Sequence, residues 1–305
     1  MRRYLWPAVG FGLAAALPFV ITGSYRHNIM ALMLVYAIAA VGLNLLVGIA
    51  GQISMGHGAF MLIGGYTSAI LTLKAGLPLW LSIPAAGVAA ALVGFVLGLP
   101  ALRLHGHFLA LATLSFGVAI PQIAMKWGSV TGGAMGLSPK GFASDRIAYW
   151  TVLGVLALLV WVADNLLRSR PGRALRAVRD SEVVALSMGI SLVWAKTSIF
   201  ALSAFFAGVA GALGTHLAGF INPTDYNMLI SFQLLATVVV GGLGSIPGSI
   251  AGAVLVTFLP FAFSRSKGWA STIEGLAIIG IVIFLPYGLA SLVQKLRGVR
   301  RRAAS

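Results

Sequence analysis

The stretch RSRPGRALRAVRDSEVVALSMG, residues 168–189, decides how this chain is read. It is a polar, basic interruption in an otherwise lipid-soluble sequence. It carries five arginines, from Arg168 to Arg179, and no apolar run long enough to cross a bilayer, so it belongs in water. Its second half, Ser181 to Met188, predicts a short helix. Glu182 in the first turn suits the positive helix end, and Gly189 supplies the stop. Two readings follow from the residues. One is a solvated connector held on the cytoplasmic side by its charge. The other is a short amphipathic helix by which a membrane protein docks into a soluble partner.

Working outward, composition places the rest of the chain in lipid. Hydrophobic residues make up 59% and charged residues 9% of the 305 positions, against roughly 25% charged in soluble domains. The net charge of +15 does not form one basic face, which argues against a nucleic-acid partner. The basic residues stand at the ends of hydrophobic runs, where topology signals sit. Cysteine is absent, so disulfides and thiolate metal sites are excluded.

The runs predict an all-α integral membrane protein, one polytopic domain over 1–305, with about ten spanning or partly spanning helices. They fall near 5–22, 29–49, 58–73, 79–99, 108–125, 149–167, 196–217, 229–243, 247–263 and 271–290. The first follows Arg2 and Arg3 and exceeds a signal-peptide core in length, so it is read as a retained span. With both termini cytoplasmic, 14 Lys and Arg lie inside and seven outside. The loop 168–195 and the basic tail 291–305 supply the two densest inside clusters. A single helix over 229–263 would put the tail outside. A break at GGLGSIPG, 241–248, restores it, and Gly and Pro at that density end helices on backbone grounds.

A second glycine-rich break lies early, in NLLVGIAGQISMGHGAF, 44–60. There Gly48, Gly51, Gly56 and Gly58 interrupt an apolar region that also holds Gln52, Ser54 and His57. Irregular backbone at membrane depth is tolerated where it packs in protein or lines a watery path, and transporter sites often use such broken helices. Gln52, Ser54, Gly56 and His57 are therefore candidate path residues, with Gly241, Gly242 and Gly244 from the second break. Taken alone, each glycine reads as close helix packing and His57 as a satisfied buried group. The breaks also match each other: Val47, Gly48, Gly51 and Ile53 align with Val240, Gly241, Gly244 and Ile246 at a constant offset. Outside, Thr131, Gly132, Gly133 and Gly136 predict a flexible loop within 126–149.

Absences narrow the function. No G-x-x-x-x-G-K-[ST] phosphate loop is present, so this chain does not bind ATP in that manner. The six acids, Asp145, Asp164, Asp180, Glu182, Asp225 and Glu274, avoid the middles of the spans, where ion-coupled carriers place ionisable groups. His105 and His107 have no acid nearby to complete a metal site. No nucleophile–base pair stands out. The sequence therefore predicts no enzyme, metal or cofactor. An autonomous channel or secondary carrier would account for the broken helices but leave segment 168–189 unused.

Several stretches occur in the order and spacing of a known family. They are LNLLVGIAGQISMGHGAF (43–60), TGGAMGLS (131–138), GRALRAVRDSEVVALSMGIS (172–191), ALSAFFAGVAGAL (201–213) and VVVGGLGSIPGSIAGAVL (238–255). Together they resemble the LivM-type permeases of bacterial ABC importers for branched-chain amino acids. The resemblance implies a multi-pass protein of the bacterial inner membrane. It also implies a LivH-type partner permease, two cytoplasmic ATPase subunits and a periplasmic binding protein. It makes 172–191 the carrier of a coupling helix, with Arg176, Glu182, Ala185 and Gly189 at coupling positions. The chain departs from the family at GVAIPQ (117–122), where relatives often carry an acid and a base. It departs again at Leu186 and Ser187, where relatives often carry Ala-Arg. The family also includes permeases for urea and short-chain amides.

Overall fold

The computed structural model describes residues 23–101 and 107–263, with isolated positions in 12–18 and 275–290. The first and tenth predicted spans, the tail 291–305, Arg103 and His105 lie outside the continuously described residues. Eleven α-helices follow in order: α1 (Ser24–Asn44), α2 (His57–Lys74), α3 (Leu79–Ala101), α4 (His107–Lys126), α5 (Gly128–Thr131), α6 (Asp145–Arg168), α7 (Arg170–Asp180), α8 (Glu182–Ser187), α9 (Leu192–Ala218), α10 (Met228–Gly241) and α11 (Ile246–Ala262). A π-helical turn, Leu45–Ile49, extends α1. Among the described residues the sole β contact is one bridge, Leu137 to Ile221, so the class is all-α.

Five of these segments are long and apolar enough to cross a bilayer: α1 with its π turn, α3, α4, α6 and α9. With 14 and 17 residues, α10 and α11 run about 21 and 26 Å at 1.5 Å per residue, short of a 30 Å hydrocarbon core. The two-element reading of 229–263 therefore holds, and the elements are partial spans.

The 27-residue α9 is the central post, buried along most of its length. Lipid is as apolar as leucine, so burial alone gives such helices little reason to associate; close packing does. Here glycine supplies it. A β-carbon on Gly64 of α2 would overlap the Gly208 carbonyl of α9, and one on Gly211 would overlap the Met61 carbonyl of α2. Gly42 of α1 meets the Phe206 side chain, and Gly94 of α3 meets the methyl of Ala204. On α3 the opposite stripe, Val88, Leu92, Val96 and Leu99, is exposed, as a lipid-facing helix requires.

The connection 127–144 is more ordered than its glycines predicted. Gly132, Gly133 and Gly136 adopt φ of +76°, +60° and +71° in tight turns after α5. Thr131 Oγ1 donates to the carbonyls of Ala124 and Trp127 at 2.6 and 2.8 Å. The Leu137–Ile221 bridge and the Asn222 Nδ2 bond to the Ala134 carbonyl (2.9 Å) tie this loop to the one after α9. Positive-φ glycine here closes a compact structure, the opposite of a loose loop.

Candidate functional site

The basic loop after α6 is built from two capped helices. Ser169 caps α7, accepting from the Gly172 N–H at 3.4 Å, with Pro171 in the first turn. The sequence reading placed a helix only in the second half of this stretch, yet the first half is also a helix, of 11 residues. Gly172, Leu175 and Val178 form its buried stripe, and the arginines take the remaining faces. Ser181 then caps α8 through the Val184 N–H at 3.4 Å. Gly189, at φ +77°, turns the chain out of it. The predicted start and stop of the short helix are where the sequence placed them.

Within α8, Ala185 is fully buried, while Val183, Val184 and Leu186 and the following Met188 are 78, 54, 56 and 73% exposed. Four large apolar side chains at the tip of a polar loop are an unusual exposed group. Glu182 holds the helix to α9 through an ion pair of 2.6 Å with Lys196. Arg176 faces the corner before it, donating to the carbonyl of Gly172 at 3.3 Å and to that of Leu167. Its contacts thus tie α7 to the end of α6.

Both breaks lie beside this loop. Asn44, the last residue of α1, is 2% exposed and clamps one break to the other. Its amide NH2 donates to the Ser245 carbonyl at 3.0 Å and to Ser249 Oγ at 2.6 Å. Its Oδ1 accepts from the Gly244 N–H at 2.8 Å. Gly48 has no room for a side chain, because a β-carbon there would overlap both Asn44 Oδ1 and the Gly244 nitrogen. Gly51 and Gly244, paired in the sequence repeat, share the left-handed conformation at φ +70° and +80°. Gly242 adds φ +111°, and Gly241 packs directly on the Gly248 carbonyl.

From Gly51 to Gly56 the chain leaves the helix. Gln52, Ser54 and Gly56 face inward, while Gly51, Ile53 and Met55 alternate toward the accessible side. The period of two is that of a strand, but no second strand is present here. The Met55 N–H donates to Thr113 Oγ1 of α4 at 3.0 Å, and a β-carbon on Gly56 would overlap the Thr113 carbonyl. The segment delivers His57 to the start of α2, beside Ser203. Ser203 lies about 16 Å along α9 from Leu192, so α2 begins near the middle of that helix.

His57 is fully buried. Its Nε2 meets Ser203 Oγ at 2.8 Å and its Nδ1 meets Ser54 Oγ at 3.2 Å. Ser203 Oγ already donates to the Gly42 carbonyl at 2.6 Å, so it accepts from His57, which assigns the proton to Nε2. Ser54 then donates to Nδ1. His57 thus locks the non-helical segment before α2 to α9 and α1. Gln52 differs: its buried Nε2 has no hydrogen-bond partner among the described residues.

The structure therefore brings Gly244 against Asn44 and Gly48, packs Gly241 on Gly248 in the same turn, and sets Met55 and Gly56 against α4 and His57 against α9. The sequence reading missed Asn44, Thr113, Ser203 and Ser249, which hold this arrangement. A separate cavity of about 150 Å³, lined by Leu32, Tyr36, Met61, Gly214, Asp225 and Tyr226 among others, includes none of the predicted path residues. Among the described residues no group of His, Cys, Asp and Glu could hold a metal ion.

The clamp makes a prediction. Asn44→Ala orphans the half-buried Gly244 N–H and removes two donors, at up to about 1–3 kcal/mol for each buried group left unpaired. The expected result is a clear fall in the detergent-solubilised melting temperature. Asn44→Asp keeps the acceptor but loses both amide donors, so it should recover little. An unchanged melting temperature in Asn44→Ala would contradict the clamp.

A glycine-packed helical bundle of partial and full spans, with broken helices inside and a capped helix pair at one end, defines a polytopic membrane permease. Residues 25–286 match the family described as the branched-chain amino acid transport system permease component, and the chain belongs to that family. It is 32% identical over 323 aligned residues to the high-affinity branched-chain amino acid transport permease LivM of Escherichia coli K12, covering 96% of this chain and 76% of that one. LivM of Salmonella typhimurium LT2 is 33% identical over 309, covering 91% and 72%. LivH, the second permease name among its relatives, is 25% identical in Salmonella typhimurium LT2, covering 83% of this chain and 90% of that protein. The chain is a multi-pass transport subunit and not an enzyme.

Proposed function

We propose that this chain is one permease half of an ATP-driven importer that carries branched-chain amino acids inward across the bacterial inner membrane. The observation that carries the proposal is α8, a short capped helix at the tip of a basic loop. With the Met188 that follows it, it presents four exposed apolar side chains. A non-coupled channel or carrier has no use for such a surface. The names of the relatives, LivM and LivH, support branched-chain amino acids as the substrate and a LivH-type chain as the other half.

In this reading two ATPase subunits receive α8 of each permease half, with Arg176, Glu182, Ala185 and Gly189 shaping the docked loop. Closure on ATP drives the loop, and the breaks it touches change the path between the halves. A periplasmic binding protein delivers the solute to the outer loops. The accessible edge of Gly51, Ile53 and Met55 faces the shared path. Gln52, Ser54, Gly56 and His57 brace that edge from behind, and Gly241, Gly242 and Gly244 form the facing turn. Main-chain groups then meet the solute where irregular backbone is otherwise forbidden by lipid.

Orientation is testable cleanly, because the chain has no cysteine. In intact cells a cysteine replacing the exposed Ser138 should react with a membrane-impermeant maleimide. Cysteines replacing Val183, or Ser305 in the tail, should react only after permeabilisation. Labelling of Val183→Cys from outside would invert the topology and end the docking proposal. The substrate is tested by uptake of labelled leucine in the assembled transporter. Excess isoleucine or valine should compete, and excess urea or acetamide should not.

A further inference from the structure

One arginine joins the α7–α8 loop to both membrane breaks. Arg179 occupies the last turn of α7, two residues before the Ser181 cap of α8. Its Nη1 donates to the Gly48 carbonyl in the π turn of the first break. The same carbonyl oxygen lies 3.4 Å from where a β-carbon on Gly244 would stand, and Arg179 Nη1 lies 3.8 Å from that point. On its other side, a β-carbon on Gly51 would stand 3.2 Å from Arg179 Cγ. The guanidinium group of the exposed Arg179 thus reaches the point where the loop, the first break and the second break meet.

Chemistry favours a firm tie. A cationic donor to a carbonyl oxygen is a charge-assisted hydrogen bond, and a π-helical turn leaves backbone carbonyls displaced from the regular ladder to accept it. Gly51 has the left-handed φ that lets the main chain pass against the arginine stem without a side chain. Asn44 fixes Gly244 and Ser245 to the same end of α1, so whatever displaces Gly48 also bears on the second break.

We propose that Arg179 is a positioning residue that delivers movement of the α7–α8 loop to both membrane breaks at once. This rests on the reading that α8 docks into ATPase subunits. The tie then converts a push on the loop into a concerted shift of Gly48 and Gly244, which pack directly against one another. A loop held only by α9 would move without addressing the path.

The test uses the complete transporter in proteoliposomes: this chain, its partner permease, the ATPases and the binding protein. Co-purification of the ATPases, ATP hydrolysis and leucine uptake are measured together, and the readout is leucine moved per ATP hydrolysed. Arg179→Met keeps the length of the stem and removes the donors. It should assemble and hydrolyse ATP at near the wild-type rate, with the transport-to-hydrolysis ratio down about tenfold, a coupling effect in the ordinary range. Arg179→Lys, one atom shorter and without the fork, should lie between the two. A merely structural residue would lower assembly, hydrolysis and uptake in parallel and leave the ratio unchanged, which would overturn the proposal. Should Arg179→Met fail to retain the ATPases, the lysine variant decides: a lowered ratio supports the tie, and a wild-type ratio refutes it. A wild-type chain that retains no ATPase would instead sink the docking reading itself.

Discussion

Gly211→Val should abolish the folded permease. Gly211 sits where α9 crosses α2, and a β-carbon there would overlap the Met61 carbonyl and stand 2.6 Å from its carbon. The obstacle is backbone on both sides, so no side chain can rotate away. The helices must part, and parting them also opens the Gly64–Gly208 contact and its neighbours. In lipid nothing restores what is lost, since van der Waals packing is itself the source of association. We expect a loss of about 4 kcal/mol or more, in the range reserved for severe core disruption. The measurement is the monodisperse fraction on size exclusion after solubilisation. Gly154→Val on α6 is the control, because a β-carbon there meets nothing within 4 Å. A Gly211→Val protein as monodisperse and as thermostable as Gly154→Val would refute the crossing geometry.

Glu182→Lys should assemble poorly with the ATPases or hydrolyse ATP without transport. The substitution removes the 2.6 Å ion pair to Lys196, whose side chain is only 11% exposed, and sets two cations against each other. It also places positive charge at the positive end of α8. The helix then leaves α9, carrying Val183, Val184 and Leu186 out of register with their docking site. Uptake should fall about tenfold or more, as a lost coupling of 1–3 kcal/mol implies. Adding Lys196→Glu restores an attractive pair, and the double variant should recover much of the loss. Normal uptake with substrate-stimulated hydrolysis in the single variant would show that the ion pair does not position α8.

Local signals in the sequence carried a good part of this. Ser181 and Gly189 marked α8 because capping chemistry is local, and the Gly and Pro of 241–248 marked the second break for the same reason. The repeat of Gly51 and Gly244 was visible as letters and proved to be a repeat of backbone conformation. Other features escaped because their partners lie far along the chain. Asn44 is a single polar residue in an apolar run, and its clamp depends on Gly244, Ser245 and Ser249, some two hundred positions away. Arg179 looked like one of five arginines until Gly48 was seen against it. The helix α7 was legible in part: Ser169 and Pro171 are a start signal, and Gly172, Leu175 and Val178 recur at helical spacing. Arginines at every third position masked it as a charge run. The depth of His57 followed from the tertiary packing of α2 on α9, which no local pattern encodes.

The central claim is that transport through this chain is driven by ATP hydrolysed on other subunits. Leucine accumulation is its most direct measurement, in proteoliposomes carrying the chain with its partner permease, the ATPases and the binding protein. Accumulation should rise above the external concentration with ATP on the ATPase side, and should vanish with a non-hydrolysable analogue or without the ATPases. Equal leucine flux through the chain alone, without ATPases or ATP, would make it a channel or carrier and contradict the account.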